Sequence, residues 1–132
     1  MNEAKKNAGG AGSGFARIEI MMGMKKLTPL LKKLSTAGIT GVTVFQALGC
    51  GIQHGSYEYT QEETTDIQLL PKTCLLIICE QEAVADLVEL LKLELYTGHI
   101  GDGKIFISGI DNIIRIRTGE EGGEALRRSD IG

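Results

Sequence analysis

Thr73–Leu95, TCLLIICEQEAVADLVELLKLEL, changes its hydrophobic period once, and that change decides the architecture. Thr73 to Cys79 is apolar without alternation, the pattern of a central strand. From Glu82 to Leu95 the apolar residues Val84, Leu87, Val88, Leu91 and Leu95 fall on one helical stripe. Glu80, Glu82 and Asp86 sit near the start of that helix, where its dipole favours anions. On the C-terminal side, Lys104–Ser108 reads as a further strand and Ile113–Arg117 as a short extended piece. On the N-terminal side, Phe15–Met22 (FARIEIMM) alternates as a first strand. Thr28-Pro29 opens a helix, with Thr28 as cap and Pro29 at the first helical position, where no N–H is needed. Leu27, Leu30, Leu31 and Leu34 recur at helical spacing while Lys25, Lys26, Lys32 and Lys33 face water, and Gly38 supplies a left-handed end. Val42–Leu48 is a second strand. The order β-α-β, long loop, β-α-β predicts an α+β, ferredoxin-like βαββαβ domain: an antiparallel four-stranded sheet with both helices on one face. Its open face needs a cover, and the Ile- and Val-rich strands point to self-association.

Length and composition agree with this and exclude several classes. The chain has 132 residues, 42% of them hydrophobic, with no Trp; that suits one domain with an aliphatic core. Residues 1–14 (MNEAKKNAGGAGSG) carry four glycines and a Lys pair, so they are expected to form a flexible tail ahead of a domain over 15–132. They lack the apolar core of a signal peptide, and no apolar run reaches the ~18 residues that span a bilayer. The expected location is cytoplasmic, without membrane insertion. Cys50, Cys74 and Cys79 have no CxxC spacing and read as reduced thiols. A formal net charge of −3 offers no basic field for nucleic acid.

The residues that carry chemistry lie in Gly98–Gly122, GHIGDGKIFISGIDNIIRIRTGEEG. Gly101-Asp102-Gly103-Lys104 is a glycine turn ending on a lysine. A phosphate-binding P-loop places its lysine at the start of a helix; here Lys104 opens a strand. By itself the turn is compatible with a plain hairpin. Arg115 and Arg117 stand two apart, on one side of an extended segment, so both guanidinium forks can reach one anion. Ion pairing with Glu120 and Glu121 is the alternative use of the same two arginines. Between Gly49 and Lys72 (GCGIQHGSYEYTQEETTDIQLLPK) no hydrophobic period of either kind appears. Loops beyond ~12–15 residues are uncommon in a compact domain and are usually functional or disordered. Its acids are Glu58, Glu62, Glu63 and Asp66, and Lys72 is its one fixed cation.

The run TGHIGDGKIFISGIDNIIRIRTGEEG resembles the C-terminal signature of the PII signal-transduction family almost position for position. Gly38–Val44 (GITGVTV) is similar to that family's second strand, and Leu69–Lys72 (LLPK) to the end of its T-loop. The resemblance extends over roughly residues 15–126. It implies a homotrimer with nucleotide clefts between neighbouring subunits, sensing ATP against ADP. By that resemblance Thr43, Gly49, Gly51 and Gln53 belong to the T-loop side of the cleft, the T-loop being about residues 49–72. Ile100, Gly101, Asp102, Gly103 and Lys104 belong to the turn before the fourth strand, and Arg115 and Arg117 to the C-terminal piece. Lys104 and the arginines would hold phosphates, with backbone near Ile100 addressing the adenine. Gln53 and Lys72 match the family's Mg2+ and 2-oxoglutarate residues. No cofactor is obligatory; ATP or ADP, with Mg2+, would act as effectors.

The chain also departs from that family. Where the T-loop base usually reads GFGRQKG, this chain has Gly49-Cys50-Gly51-Ile52-Gln53-His54-Gly55, so Ile52 and His54 replace two cations. Losing cations weighs most on the most highly charged ligand, so ATP should lose preference relative to ADP. Leu76 stands at a common glutamate position. Thr65 and Glu63 occupy the positions of the family's modifiable tyrosine and serine. Tyr57 and Tyr59 read as adhesive loop residues and His54 as an exposed histidine. The reading is a non-enzymatic regulator whose T-loop docks on a transporter or metabolic enzyme. A slow ATP hydrolase and a ligand-free assembly module are the alternatives.

Overall fold

The computed structural model describes residues 14–39, 41–53 and 66–127. The expectations about the N-terminal tail, and about His54, Gly55, Tyr57, Glu58, Tyr59, Glu62, Glu63 and Thr65, fall outside those residues. Four strands and three helices follow in the order β1 (Phe15–Met22), α1 (Leu27–Thr36), β2 (Val42–Gln53), β3 (Asp66–Glu80), α2 (Val84–Leu95), β4 (Lys104–Ile110) and α3 (Gly123–Leu126). The strands form one sheet in the order β2-β3-β1-β4. Every neighbouring pair is antiparallel. This is the α+β arrangement expected.

Alternation along β1 builds the core. Ala16, Ile18, Ile20 and Met22 are buried, and so are Leu75, Ile77 and Cys79 of β3. They meet Leu30 and Leu34 of α1 and Leu87, Leu91 and Leu95 of α2 in a single cluster, so both helices cover the same sheet face. β1 is as central as β3: Ile18 stands opposite Ile77 on one side and Ile107 on the other. The far face carries Arg17, Glu19, Met21, Thr43, Phe45, Cys74, Leu76, Ile78, Lys104 and Phe106 by the same registers. Apart from Cys74, which is buried, its apolar members are only partly covered, Phe45 being 44% and Phe106 47% exposed.

The boundaries differ from expectation in three places. α1 begins at Leu27, after a single 3-10 turn over Met24–Lys26, and Lys26 occupies the capping position. Pro29 is therefore the third helical residue, still inside the first turn whose N–H groups have no helical acceptor. Thr28 is not the cap. Second, β2 and β3 run further than their hydrophobic pattern: Cys50 pairs with Leu69, Gly51 with Gln68 and Gln53 with Asp66. Backbone pairing between two antiparallel strands needs no apolar period, so the pattern could not reveal it. Third, the extended piece expected over Ile113–Arg117 is cut short by a turn. Only Ile114 bridges, to Glu121, and Ile116–Thr118 form a turn. α1 ends as read: Gly38 has φ +90°, its N–H donates to Ser35 O at 3.0 Å and the Ile39 N–H to Leu34 O at 2.8 Å. That is a Schellman cap, with Ile39 packed against the core as its hydrophobic contact.

Candidate functional site

The turn from Thr97 to Lys104 joins α2 to the edge strand β4. Gly98, Gly101 and Gly103 have φ of +85°, +107° and +106°, a conformation costly for any side chain. At Gly103 contact adds to conformation. A Cβ there would stand 2.0 Å from the Met21 carbonyl oxygen, so the turn presses directly on the backbone of β1. Asp102 faces back into the turn. Its Oδ2 accepts from the N–H groups of Thr97 at 2.7 Å and Gly98 at 2.9 Å, and its Oδ1 from the Thr97 hydroxyl. The Thr97 hydroxyl bond, then the Thr97 backbone bond, hold the Asp102 carboxyl below the ordinary carboxylate range. Thr97 was not among the residues singled out from sequence; a hydroxyl five residues ahead of an acid in a glycine turn is the signal for it. Ile100 is fully exposed at the tip, and Lys104 is exposed where β4 begins. Cavities of about 470 Å³ and 420 Å³ flank the turn. The first is lined by Met22, Lys26, Ile100 and Gly101, the second by Leu91, Tyr96, Gly103 and Lys104.

The two arginines do not behave as a pair. Ile113–Gly122 is a tight hairpin: the Arg115 N–H donates to Glu120 O at 2.8 Å, Gly119 N–H to Arg115 O at 2.7 Å and Gly122 N–H to Ile113 O at 2.9 Å. Within it the Arg115 guanidinium donates to the Glu120 carboxylate, to Ala125 O at 3.1 Å and to Arg127 O. Its side chain is only 20% exposed. Arg117 lies in the turn, exposed, with no ion pair to another described residue. Same-face geometry in a strand was the premise for pairing them, and the turn at Ile116–Thr118 removes it. The Glu120 ion pair is the alternative use, and Arg115 takes it. Glu121 accepts from Asn112 Nδ2 at 2.8 Å instead.

On the opposite edge, β2 carries Thr43 and Gly49 on the far face of the sheet, with Gly51 and Gln53 further along the same strand. Gly49 leaves room for Lys72: a Cβ at 49 would lie 3.0 Å from Lys72 Cγ and 3.1 Å from Cε, so the lysine stem crosses β2 at that residue. Thr43, opposite Leu76, is exposed. Lys104 aligns with Met21, Cys74 and Phe45 across the sheet. Three strand spacings, roughly 14 Å, therefore separate Lys104 from β2. Thr43–Gln53 and Gly101–Lys104 sit at opposite edges of one chain. Among the described residues no group of His, Cys, Asp and Glu is placed to hold a metal.

Fold and turn together define a ferredoxin-like α+β protein with a glycine-lysine turn at one sheet edge and a long strand ribbon at the other. This chain belongs to the P-II family: the family model described as Nitrogen regulatory protein P-II matches residues 15–120. It is 36% identical over 110 residues to the Nitrogen regulatory protein P-II of Azospirillum brasilense, covering 83% of this chain and 98% of the relative. To the P-II 2 protein of Methanothermobacter thermautotrophicus it is 44% identical over 102 residues, covering 77% of this chain and 89% of that one. Among solved structures, GlnK of B. subtilis superposes with a TM-score of 0.74 at 34% identity, over 86% of this chain and all of that one. A B. subtilis GlnK–ATP complex matches at 0.73 and 32% identity, covering 86% of this chain and 97% of that one. Arabidopsis thaliana PII bound to citrate matches at 0.68 and 28%, covering 86% and 92%.

Proposed function

We propose that this chain is a regulatory homotrimer that binds ATP or ADP in clefts between adjacent copies. It would report the nucleotide state through the β2–β3 loop to a transporter or metabolic enzyme. One observation carries the reading: the residues that match the family's nucleotide site divide between the two outer edges of the sheet. Within a chain two strands lie between them. A head-to-tail ring brings the β2 edge of one copy to the β4 edge of the next, and a rotation that closes makes a finite assembly. Thr43, Gly49, Gly51 and Gln53 would then face Ile100–Lys104 and Arg117 of a neighbour. The related GlnK that holds ATP supports the ligand class. The related PII that holds citrate supports a carboxylate effector; the family resemblance assigns Gln53 and Lys72 to it, with 2-oxoglutarate as the candidate.

Of the residues matched to the family's site, Lys104 and Arg117 are exposed cations available to phosphate, while Arg115 orders the C-terminal hairpin and reaches a ligand only by giving up bonds it already makes. With Ile52 in place of a cation, the γ-phosphate gains less than in a relative with arginine there, so ATP should lose preference relative to ADP. Nucleotide signals only if it binds the loop's alternative conformations with different affinity.

Calorimetric titration with ATP and with ADP, each with Mg2+ and with or without 2-oxoglutarate, tests this. Saturable binding of both nucleotides is expected, abolished by Lys104→Ala. Absence of binding at millimolar nucleotide overturns the reading. Steady phosphate release from ATP that disappears in Lys104→Ala would favour the hydrolase instead.

A further inference from the structure

An acid inside a turn that is to receive phosphates is a contradiction in charge, since a free carboxylate there repels the ligand. The hydrogen bonds of Asp102 leave that charge in place but turn both oxygens onto donors at the start of the turn. Oδ2 takes the N–H groups of Thr97 and Gly98, and Oδ1 takes the Thr97 hydroxyl. The Thr97 oxygen in turn accepts the His99 N–H at 3.1 Å. This network uses the N–H groups of residues 97, 98 and 99. Those of Ile100, Gly101, Asp102 and Gly103 donate to no described residue. Successive free N–H groups around left-handed residues make a concave anion receptor. Three left-handed glycines, at 98, 101 and 103, leave the segment with little conformational stiffness of its own.

We infer, resting on the nucleotide reading above, that Asp102 is a positioning residue. Its carboxylate, closed onto Thr97 and Gly98, fixes the turn so that the free N–H groups of Ile100–Gly103 and the Lys104 ammonium converge on nucleotide phosphate, and Asp102 itself makes no contact with the nucleotide. The division of labour follows from chemistry. Only an ionised carboxylate can accept three donors at one end of so short a turn, because an amide offers one acceptor atom and sets its NH₂ against a donor. Thr97 is the matching half, as backbone donor and hydroxyl donor at once.

The test uses the full chain with the variants Asp102→Asn, Thr97→Val and Thr97→Ser. Calorimetry with ADP and with ATP measures affinity, amide hydrogen exchange without nucleotide measures the turn, and light scattering with thermal melting checks assembly. Asp102→Asn and Thr97→Val should each weaken both nucleotides by about tenfold, the scale of one lost charged hydrogen bond. Thr97→Ser, which keeps the hydroxyl, should bind within about twofold of the parent protein. Exchange at Gly98 and His99 should quicken in the first two variants and not in the third, with assembly mass unchanged and any loss of melting temperature too small to unfold the chain at the temperature of the titration. If the parent protein binds nucleotide and Asp102→Asn binds it equally well, this inference falls alone. If Thr97→Ser fails as Thr97→Val does, or if affinity falls only together with assembly mass, the positioning role is likewise overturned. If the parent protein binds neither ATP nor ADP, the nucleotide reading falls first and takes the inference with it.

Discussion

At Gly103 two separate requirements meet, and its neighbour Gly101 shows how to tell them apart. Both glycines have φ near +107°. A Cβ at Gly101 would meet nothing within 4 Å, whereas at Gly103 it would stand 2.0 Å from Met21 O. Gly101→Ala should therefore cost only the left-handed strain, about 1–2 kcal/mol. Gly103→Ala adds a steric displacement of β1 or β4 of roughly 1–3 kcal/mol on top of that strain. Urea denaturation of the two variants should separate them in that order, and equal losses would show that the turn can move off β1. Cysteine chemistry is set by burial at the same scale. Cys50 is exposed while Cys74 and Cys79 are buried. Desolvation, and secondarily the charge of Glu80, push the Cys79 thiol above its ordinary value. The folded state then keeps a proton that the unfolded chain has lost. The contribution of Cys79 to stability is thus full below the ordinary thiol value and declines as pH rises above it. Iodoacetamide at pH 8 should label the native chain once, at Cys50, and the denatured chain at all three cysteines, as read by mass spectrometry. Asp102 runs the other way: its lowered value keeps the turn's hydrogen bonds intact from neutrality down through the ordinary carboxylate range, and they are lost only below it.

Among the elements, those built on a hydrophobic period were legible in the sequence, and those built on hydrogen bonds alone were not. β1 was read to the residue and the stripe of α2 in full, because burial of Ile18, Ile20, Leu87 and Leu91 is what selects those residues. The ends of β2 and β3 were missed, because Gly49–Gln53 and Asp66–Leu70 pair through backbone and leave Leu48, Ile67 and Leu69 exposed. The start of α1 was misplaced, because a 3-10 turn can precede a helix without a capping side chain. In the candidate site, the glycine turn was legible from its composition. The internal partners of Asp102 were not, and of those of Arg115 only Glu120 was named, as an alternative, since a charge run does not say whether its bonds go inward or outward. One cap was legible, and it gives an element-scale prediction. Gly38 combines φ +90° with open space around its Cβ position, so Gly38→Ala strains conformation without a clash. It should lower stability by about 1 kcal/mol by fraying α1, with no change in nucleotide affinity. A melt together with a titration checks both halves.

For the whole molecule the far face of the sheet is the decisive surface. β3 is apolar on both sides, yet Leu76 and Ile78 are only half-buried and Phe45 and Phe106 nearly half exposed in the single chain. Contiguous apolar area of this kind marks an interface. The two outer strands, β2 and β4, lie at opposite edges of the same sheet, where no further described strand adjoins them. On the proposed reading, assembly and ligand binding are a single property, because the site's halves would meet only across copies. Phe45→Glu and Phe106→Glu lie on the interface surface and outside the turn, so neither alters a residue assigned to the nucleotide. Each should convert a particle of three times the 14.2 kDa chain mass into single chains by light scattering. Nucleotide affinity should fall by at least about a hundredfold in the same samples, the cost of losing half of a multi-contact site. Raising protein concentration until the variants reassociate should restore binding in step with mass, since assembly is governed by mass action. A monomeric variant that still bound ADP with the parent affinity would mean that Gly101–Lys104 and Arg117 suffice within one chain, and the β2 edge would lose its place in the site.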